Sequence, residues 1–429
     1  MEPYRPTDVQ TIATALERAQ SRELLSPEDT AVVFYDLGLL KHQLARIRRA
    51  FPASALHASA VKANPLPAIM RRLRQWDAGA EVASWPELLL AEAAGFPPER
   101  IVFDSPAKTA EEIRYALGIG AGINADNLDE VARIAELRRA SPESRSAVGI
   151  RVNPQIGTGR IAATSTAGVY SKFGVPLNER REELLQAFAQ HPWLRGVHVH
   201  VGSQGCSLEM LAAGVRRTVE FAREVDQRLG GRGPRIESVD IGGGLPAAYR
   251  AGDTEIDIET YAATLARECP ALFDGTYRVI TEFGRYLHAH AGWVASKVEY
   301  VKTVANIPTA VLHVGADLLG RECQDPKLWP HTITVHEAGG APRGGDEQRW
   351  NLAGPLCFSG DMPATGVSLP AIRPGDIVVF HDIGAYTLSM WSRYNSRQTP
   401  KVLGYDMETG ELEVLKDREK PGAILAYWS

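Results

Sequence analysis

Residues 55–65 read Ala-Leu-His-Ala-Ser-Ala-Val-Lys-Ala-Asn-Pro. The apolar, strand-like run ends in Lys62, and Asn64-Pro65 stops the strand. A lysine at the end of a buried strand costs free energy unless something uses it. The bland reading is a strand-end lysine whose ammonium snorkels into water. The sharper reading is a desolvated lysine with a lowered pKa, able to form a Schiff base with an aldehyde cofactor. One lysine does not decide between the two, so the decision falls to its surroundings.

Working outward, strand-like runs recur, each followed by a helical pattern. The strands fall at 55–62, 80–84, 101–104, 121–125, 147–153, 196–202, 237–241 and 277–282. Amphipathic stretches lie between them, such as Pro67–Gln75, Trp85–Ala94, Leu128–Arg139 and Leu208–Leu229. Eight β-α units in about 230 residues is the count and size of a TIM (β/α)8 barrel, whereas the usual doubly wound sheet is smaller. Upstream, residues 8–24 read as a helix and Ala31–Tyr35 as a short strand. After about residue 287 the pattern becomes strands separated by turn-rich loops, at Val294–Val301, Ala310–Val314, Thr332–His336, Ile377–Phe380 and Lys401–Tyr405. Residues 338–349 are polar and glycine-rich, the pattern of an exposed loop between two strands. The predicted architecture is α/β: a barrel over 37–287 and a C-terminal all-β domain over 288–429.

The totals fit this. A chain of 429 residues has room for two domains, and 44% hydrophobic with 23% charged residues is ordinary globular composition. A net charge of −5 gives no basic patch and no hint of nucleic acid. No stretch approaches the roughly 18 apolar residues of a membrane span, and no apolar leader is apparent, so the expectation is a cytoplasmic protein. Cys206, Cys269, Cys323 and Cys357 show no CxxC spacing, so neither a zinc site nor a disulfide framework is indicated.

Active sites of this fold lie at the C-terminal ends of the strands. Lys62 ends the first strand; Glu81, Ser84 and Glu87 cluster at and after the second; Arg151 ends the fifth and His200 the sixth. Gly242-Gly243-Gly244 follows the seventh, where backbone N–H groups can approach a phosphate closely, although such a run is often only a tight turn. Glu282 and Arg285, in Glu-Phe-Gly-Arg with Gly284 between, close the eighth; alone they could be a surface ion pair. Independent core residues would not collect at one end of every strand. His198 and His200 share one face of a strand, since the side-chain period is two. Paired histidines can mean metal, but no third ligand stands nearby in sequence. A flat imidazole lying on a cofactor ring fits His200, with Ser203 available to a phosphate. Gly118-Ile-Gly-Ala-Gly122 precedes a strand rather than a helix and reads as a helix C-cap.

Eight segments then occur in a familiar order. They are Val-Lys-Ala-Asn (61–64), Arg-Val-Asn-Pro (151–154), Ser-Lys-Phe-Gly (171–174), His-Val-Gly-Ser-Gln (200–204), Asp-Ile-Gly-Gly-Gly (240–244), Glu-Phe-Gly-Arg (282–285), Gly-Pro-Leu-Cys-Phe-Ser-Gly-Asp (354–361) and Gly-Ala-Tyr (384–386). From about residue 30 to about 405 the chain resembles the diaminopimelate and ornithine decarboxylase family of fold-type III enzymes. The resemblance implies pyridoxal 5'-phosphate, a barrel whose β-domain includes the Ala31–Tyr35 strand, and a head-to-tail homodimer with active sites at the interface. It implies that Lys62 carries the cofactor, that His200 stacks on its ring and that Glu282 pairs with its ring nitrogen. It also implies that Cys357 reaches the neighbouring subunit's cofactor and protonates the α-carbon, and that Tyr386 helps bind cofactor or substrate.

The departures concern the substrate. Where the family carries a glutamate that reads the distal amine, this chain has Phe358, which cannot accept a hydrogen bond from an ammonium. The family's distal-carboxylate arginine aligns with Asp325, and Arg321 lies close enough to substitute. The expectation is therefore an amino-acid decarboxylase acting on a diamino-acid derivative or conjugate rather than free diaminopimelate, in a siderophore or other secondary pathway. The rivals are a true diaminopimelate decarboxylase of lysine biosynthesis, an amino-acid racemase on the same fold and a non-catalytic cofactor-binding protein.

Overall fold

The structure, a computed structural model, describes residues 4–229, 231, 236–250, 252, 253 and 255–429. The chain forms two compact units. One comprises His42–Ala247 with Glu255–Leu287, the other Glu2–Lys41, Ala248–Thr254 and His288–Ser429.

In the first unit eight parallel strands close on themselves. In chain order they are Leu56–Ala60, Gly79–Val82, Ile101–Asp104, Gly122–Ala125, Val148–Asn153, Leu194–His198, Ser238–Asp240 and Arg278–Thr281. Each pairs in parallel with the next, and the eighth returns to the first through Ile280 opposite Leu56 and Thr281 opposite His57. Strands covered on both faces should read as unbroken apolar runs, and all six residues of Val148–Asn153 are buried. Helices follow the strands and stop where the sequence tells them to. Thr109 and Glu112 form a reciprocal capping box at the start of Ala110–Ile119. Gly120 ends that helix at φ +88°, a left-handed conformation that favours glycine. Helices Leu37–Ala50 and Ile258–Glu268 are additions to the sequence reading. Among the described residues no helix is long and apolar enough to cross a membrane.

The second unit is built on a nine-stranded, mostly antiparallel sheet. Strand Ala31–Asp36 lies in it, antiparallel to Gly292–Val304 and parallel to Lys401–Tyr405. Helix Val9–Ser21 buries Ile12, Leu16 and Ala19 in a core with Phe34, Trp293, Val379 and Leu403. Phe34 and Trp293 stack with ring centroids 4.1 Å apart. Strands Gln348–Ala353, Ala364–Leu369 and Leu412–Lys416 escaped the sequence reading, because their half-exposed alternation lacks an apolar run.

Candidate active site

Lys62 sits not on the first barrel strand but in the single 3-10 turn Val61–Ala63 just beyond it. The turn carries the lysine past the last ladder position and leaves its side chain 41% exposed, between the snorkelling and the desolvated readings. Its ammonium pairs with Glu81, from the second strand, which is fully buried. Burial and the neighbouring Glu282 push the Glu81 carboxyl up to about 8, against the opposing pull of Lys62.

Around this pair the strand ends converge. Arg151 Nη1 lies 3.6 Å from Asp104 and 3.9 Å from Asp126, the first of which ends the third strand. His198 lies between Asp104 and Glu282. Burial raises the carboxyl of Glu282, but His198 and then Lys62 outweigh it and hold the group well below the usual carboxylate range. Burial pushes the Asp240 carboxyl well up, and Glu282 adds to the effect. His200 behaves oppositely to His198. Burial and then Arg151 lower its pKa to about 3, and its Nδ1 accepts the Gly243 N–H at 3.2 Å, so it is a neutral imidazole.

The glycine run fits a cradle. Gly242 has φ +65°, and a Cβ there would lie 2.6 Å from the Val199 carbonyl and 2.8 Å from His200 Nδ1. Side chains at Gly243 and Gly244 would strike backbone as well. Arg285 Nε donates to Ser203 Oγ at 3.3 Å, which brings two of the expected phosphate and substrate groups together. Ser84 is engaged otherwise: its hydroxyl accepts the Glu87 N–H at 3.3 Å and caps helix Trp85–Ala93, while Glu87 accepts the Ala83 N–H.

These residues fit the cofactor. Glu282 Oε1 is buried with no hydrogen-bond partner among the described residues, as an acceptor waiting for a protonated ring nitrogen would be. Lys62 would hold the aldehyde carbon, the Gly242–Gly244 turn the phosphate, and His200 a ring face. Sequence reading passed over Asp104, Asp126, Asp240 and the role of His198. Asp104 and Asp240 are the last residues of their strands, a position that could have flagged them. Asp104, His198 and Glu282 place ligand atoms within 4.8 Å of one another, a spacing a metal ion could bridge. The Arg151 guanidinium already faces the Asp104 oxygen that faces His198, however, so charge pairing explains the cluster.

The second unit carries the remaining expected residues. A cleft of about 620 Å³ is walled by Arg321, Phe358, Tyr386, Met390 and Tyr394, among others. Arg321 stacks on Trp329 at 4.4 Å and reaches Tyr386 at 5.9 Å, with its side chain 14% exposed. Asp325 is not in that wall: its carboxylate accepts the Leu328 N–H at 3.1 Å and closes a local turn. Cys357 is exposed, its N–H donating to Asn395 Oδ1 at 2.7 Å. The Asp361 carboxylate shapes this segment by accepting the N–H groups of Ala316 and Leu356 at 2.6 and 2.5 Å. Phe358 is 46% exposed and meets Tyr394 edge to face.

A closed parallel barrel with a lysine, a carboxylate, an imidazole and a glycine cradle at the strand ends defines a pyridoxal-phosphate enzyme of the barrel type. The family description "Pyridoxal-dependent decarboxylase, pyridoxal binding domain" matches residues 37–289. The chain is 32% identical to the diaminopimelate decarboxylase of Zymomonas mobilis, over 87% of each chain. It is likewise 32% identical to that of Streptomyces coelicolor, over 96% of this chain and 92% of the relative. The crystal structure of Helicobacter pylori diaminopimelate decarboxylase complexed with L-lysine superposes with a TM-score of 0.83 at 27% identity, covering 95% of this chain and 99% of that one. The chain belongs to the pyridoxal-dependent decarboxylases: it is a carboxy-lyase that uses pyridoxal phosphate.

These relatives overturn the expectation of a conjugated or derivatised substrate and of a siderophore setting, since enzymes similar along almost the whole chain are diaminopimelate decarboxylases. The structure supplies the physical reason. Phe358 is 46% exposed and meets Tyr394 edge to face, so its ring face is open to a cation and can meet a distal ammonium without a carboxylate. Asp325 lies outside the wall of the cleft that holds Arg321, and its carboxylate is spent on a local turn, so it opposes no carboxylate there.

Proposed function

We propose that the chain decarboxylates diaminopimelate, releasing carbon dioxide and leaving lysine, in the cytoplasm. The supporting observation is similarity running through both units to enzymes of that name, 92–96% of the chain in several of them. The bound cofactor supplies an electron sink for the electron pair left on the α-carbon. Glu282, kept ionised by His198, holds a proton at the ring nitrogen. Arg321 pairs with the substrate's distal carboxylate. The faces of Phe358, Tyr386 and Tyr394 receive the distal ammonium by cation–π attraction, worth about 0.5–1 kcal/mol where water still has access.

The working form is a homodimer in which Cys357 of one copy enters the other's site and protonates the α-carbon. Cys357 is exposed, as a residue that reaches a second copy's site must be. The test incubates the cofactor-loaded protein separately with diaminopimelate, lysine, ornithine and distally acylated analogues, and follows the amine products by chromatography. Lysine formed from diaminopimelate at the highest kcat/KM supports the reading; preference for an acylated analogue refutes it.

A further inference from the structure

We propose that His198 is a positioning residue: an imidazolium at neutral pH, held between Asp104 and Glu282, that fixes and charges the carboxylate facing the cofactor's ring nitrogen. This rests on the assignment of Glu282 to that nitrogen. His198 is the last residue of the sixth barrel strand and is fully buried. Its Nδ1 lies 3.5 Å from Asp104 Oδ2 and its Nε2 lies 3.6 Å from Glu282 Oε2. A neutral imidazole carries one N–H and one lone pair, so one of these carboxylates would face a lone pair. Both contacts are ion-pair distances rather than hydrogen bonds, and only the doubly protonated ring turns an N–H toward each carboxylate.

The neighbours on every side agree. Asp240 is its partner on the seventh strand, and accepts from Asn124 Nδ2 at 3.2 Å and the Gly242 N–H at 3.0 Å. Arg151 is its partner on the fifth strand and shares the Asp104 oxygen. His200, two residues on, is neutral and accepts the Gly243 N–H. Burial lowers the pKa of His198, but Asp104, Glu282 and Asp240 together raise it to about 9. Two histidines on one face of a chain segment thus hold opposite charge states. His198 faces Glu282 Oε2 at an ion-pair distance, while Oε1 has no hydrogen-bond partner among the described residues and is left for the ring nitrogen.

The experiment labels histidine with nitrogen-15 and records its ring signals in the cofactor-bound protein, with His198→Gln used for assignment. The expected result at pH 7.5 is two protonated ring nitrogens for His198; one protonated and one bare nitrogen overturns the proposal. A second arm titrates the visible absorbance of the bound cofactor in wild type, His198→Gln and Glu282→Gln. His198→Gln is expected to weaken cofactor binding about 10-fold, the equivalent of one pKa unit of lost interaction behind Glu282. It should also bring the absorbance into titration between pH 6 and 8, where wild type stays flat. A silent His198→Gln beside a responsive Glu282→Gln overturns the positioning role alone. Silence in both removes the Glu282 assignment and the proposal with it. If His198→Gln fails to fold, the two-nitrogen result is read in wild type, with His198 assigned as the ring whose signals move most in Asp104→Asn, and still decides the charge.

Discussion

Replacing Arg321 by methionine tests how the substrate's far end is read. The guanidinium is stacked 4.4 Å from the Trp329 ring and its side chain is 14% exposed, so it is partly desolvated before any substrate arrives. A charge-assisted contact to a carboxylate in such a place is worth about 1.5–3 kcal/mol. At 1.36 kcal/mol per decade, its loss lowers kcat/KM for diaminopimelate about 10- to 150-fold. The fold should tolerate the change: methionine retains an apolar stem for Trp329, and Glu322 keeps His331 Nε2 at 3.0 Å. The assay measures carbon dioxide release from diaminopimelate and, in parallel, from lysine, which lacks the distal carboxylate. The diaminopimelate rate should collapse toward the lysine rate, which itself hardly changes. Arg321→Lys should fall between, since a point charge replaces a planar fork. Unchanged kcat/KM for diaminopimelate in Arg321→Met would refute the assignment.

Lys62→Ala should abolish turnover and the visible absorbance of bound cofactor while the circular dichroism spectrum stays wild-type; retained decarboxylation would contradict the site. Asp361→Ala removes the acceptor of the Ala316 and Leu356 N–H groups. It should cost about 2–4 kcal/mol in a urea titration and lower activity through the misplaced Cys357 segment; an unchanged midpoint would show those contacts to be idle. His198 has its folded pKa raised from 6.5 to about 9, so its stabilisation is full below pH 6.5 and lost as pH rises through about 9. Glu81, raised from 4.5 to about 8, acts in the same direction. The melting temperature of the cofactor-free protein should therefore fall from pH 6.5 to 9, and a flat profile would contradict both assignments. Cys357→Ala and Lys62→Ala, each inactive alone, should regain activity when mixed under subunit exchange, because one site per heterodimer holds both native residues. Exchange without recovery would remove the shared site.

The barrel was legible because its strands are short apolar runs at regular spacing, and because chemistry-bearing residues stop at one end of each. The gathering of Lys62, Arg151, His200, Glu282 and the Gly242–Gly244 turn at one end of the strands could be read for that reason. The charge network could not be. Asp104 and His198 are distant in sequence, and His198 and Glu282 likewise; only closure of the sheet brings them within 3.6 Å. The substrate end misled because exposure is not written in residue type: Phe358 looks like a buried wall in sequence and is 46% exposed in the fold. Asp325 likewise reads in sequence as a substrate-facing acid and is occupied by a local turn.

The most direct test of the account is a balance on diaminopimelate labelled with carbon-13 at both carboxyl groups, incubated with the cofactor-loaded enzyme and followed by carbon NMR. The prediction is one labelled carbon dioxide and one lysine, still labelled at its single carboxyl, for each diaminopimelate consumed, with kcat/KM in the ordinary enzymatic range of about 10⁴ M⁻¹s⁻¹ or above. Diaminopimelate recovered intact, or epimerised without loss of carbon dioxide, would contradict it.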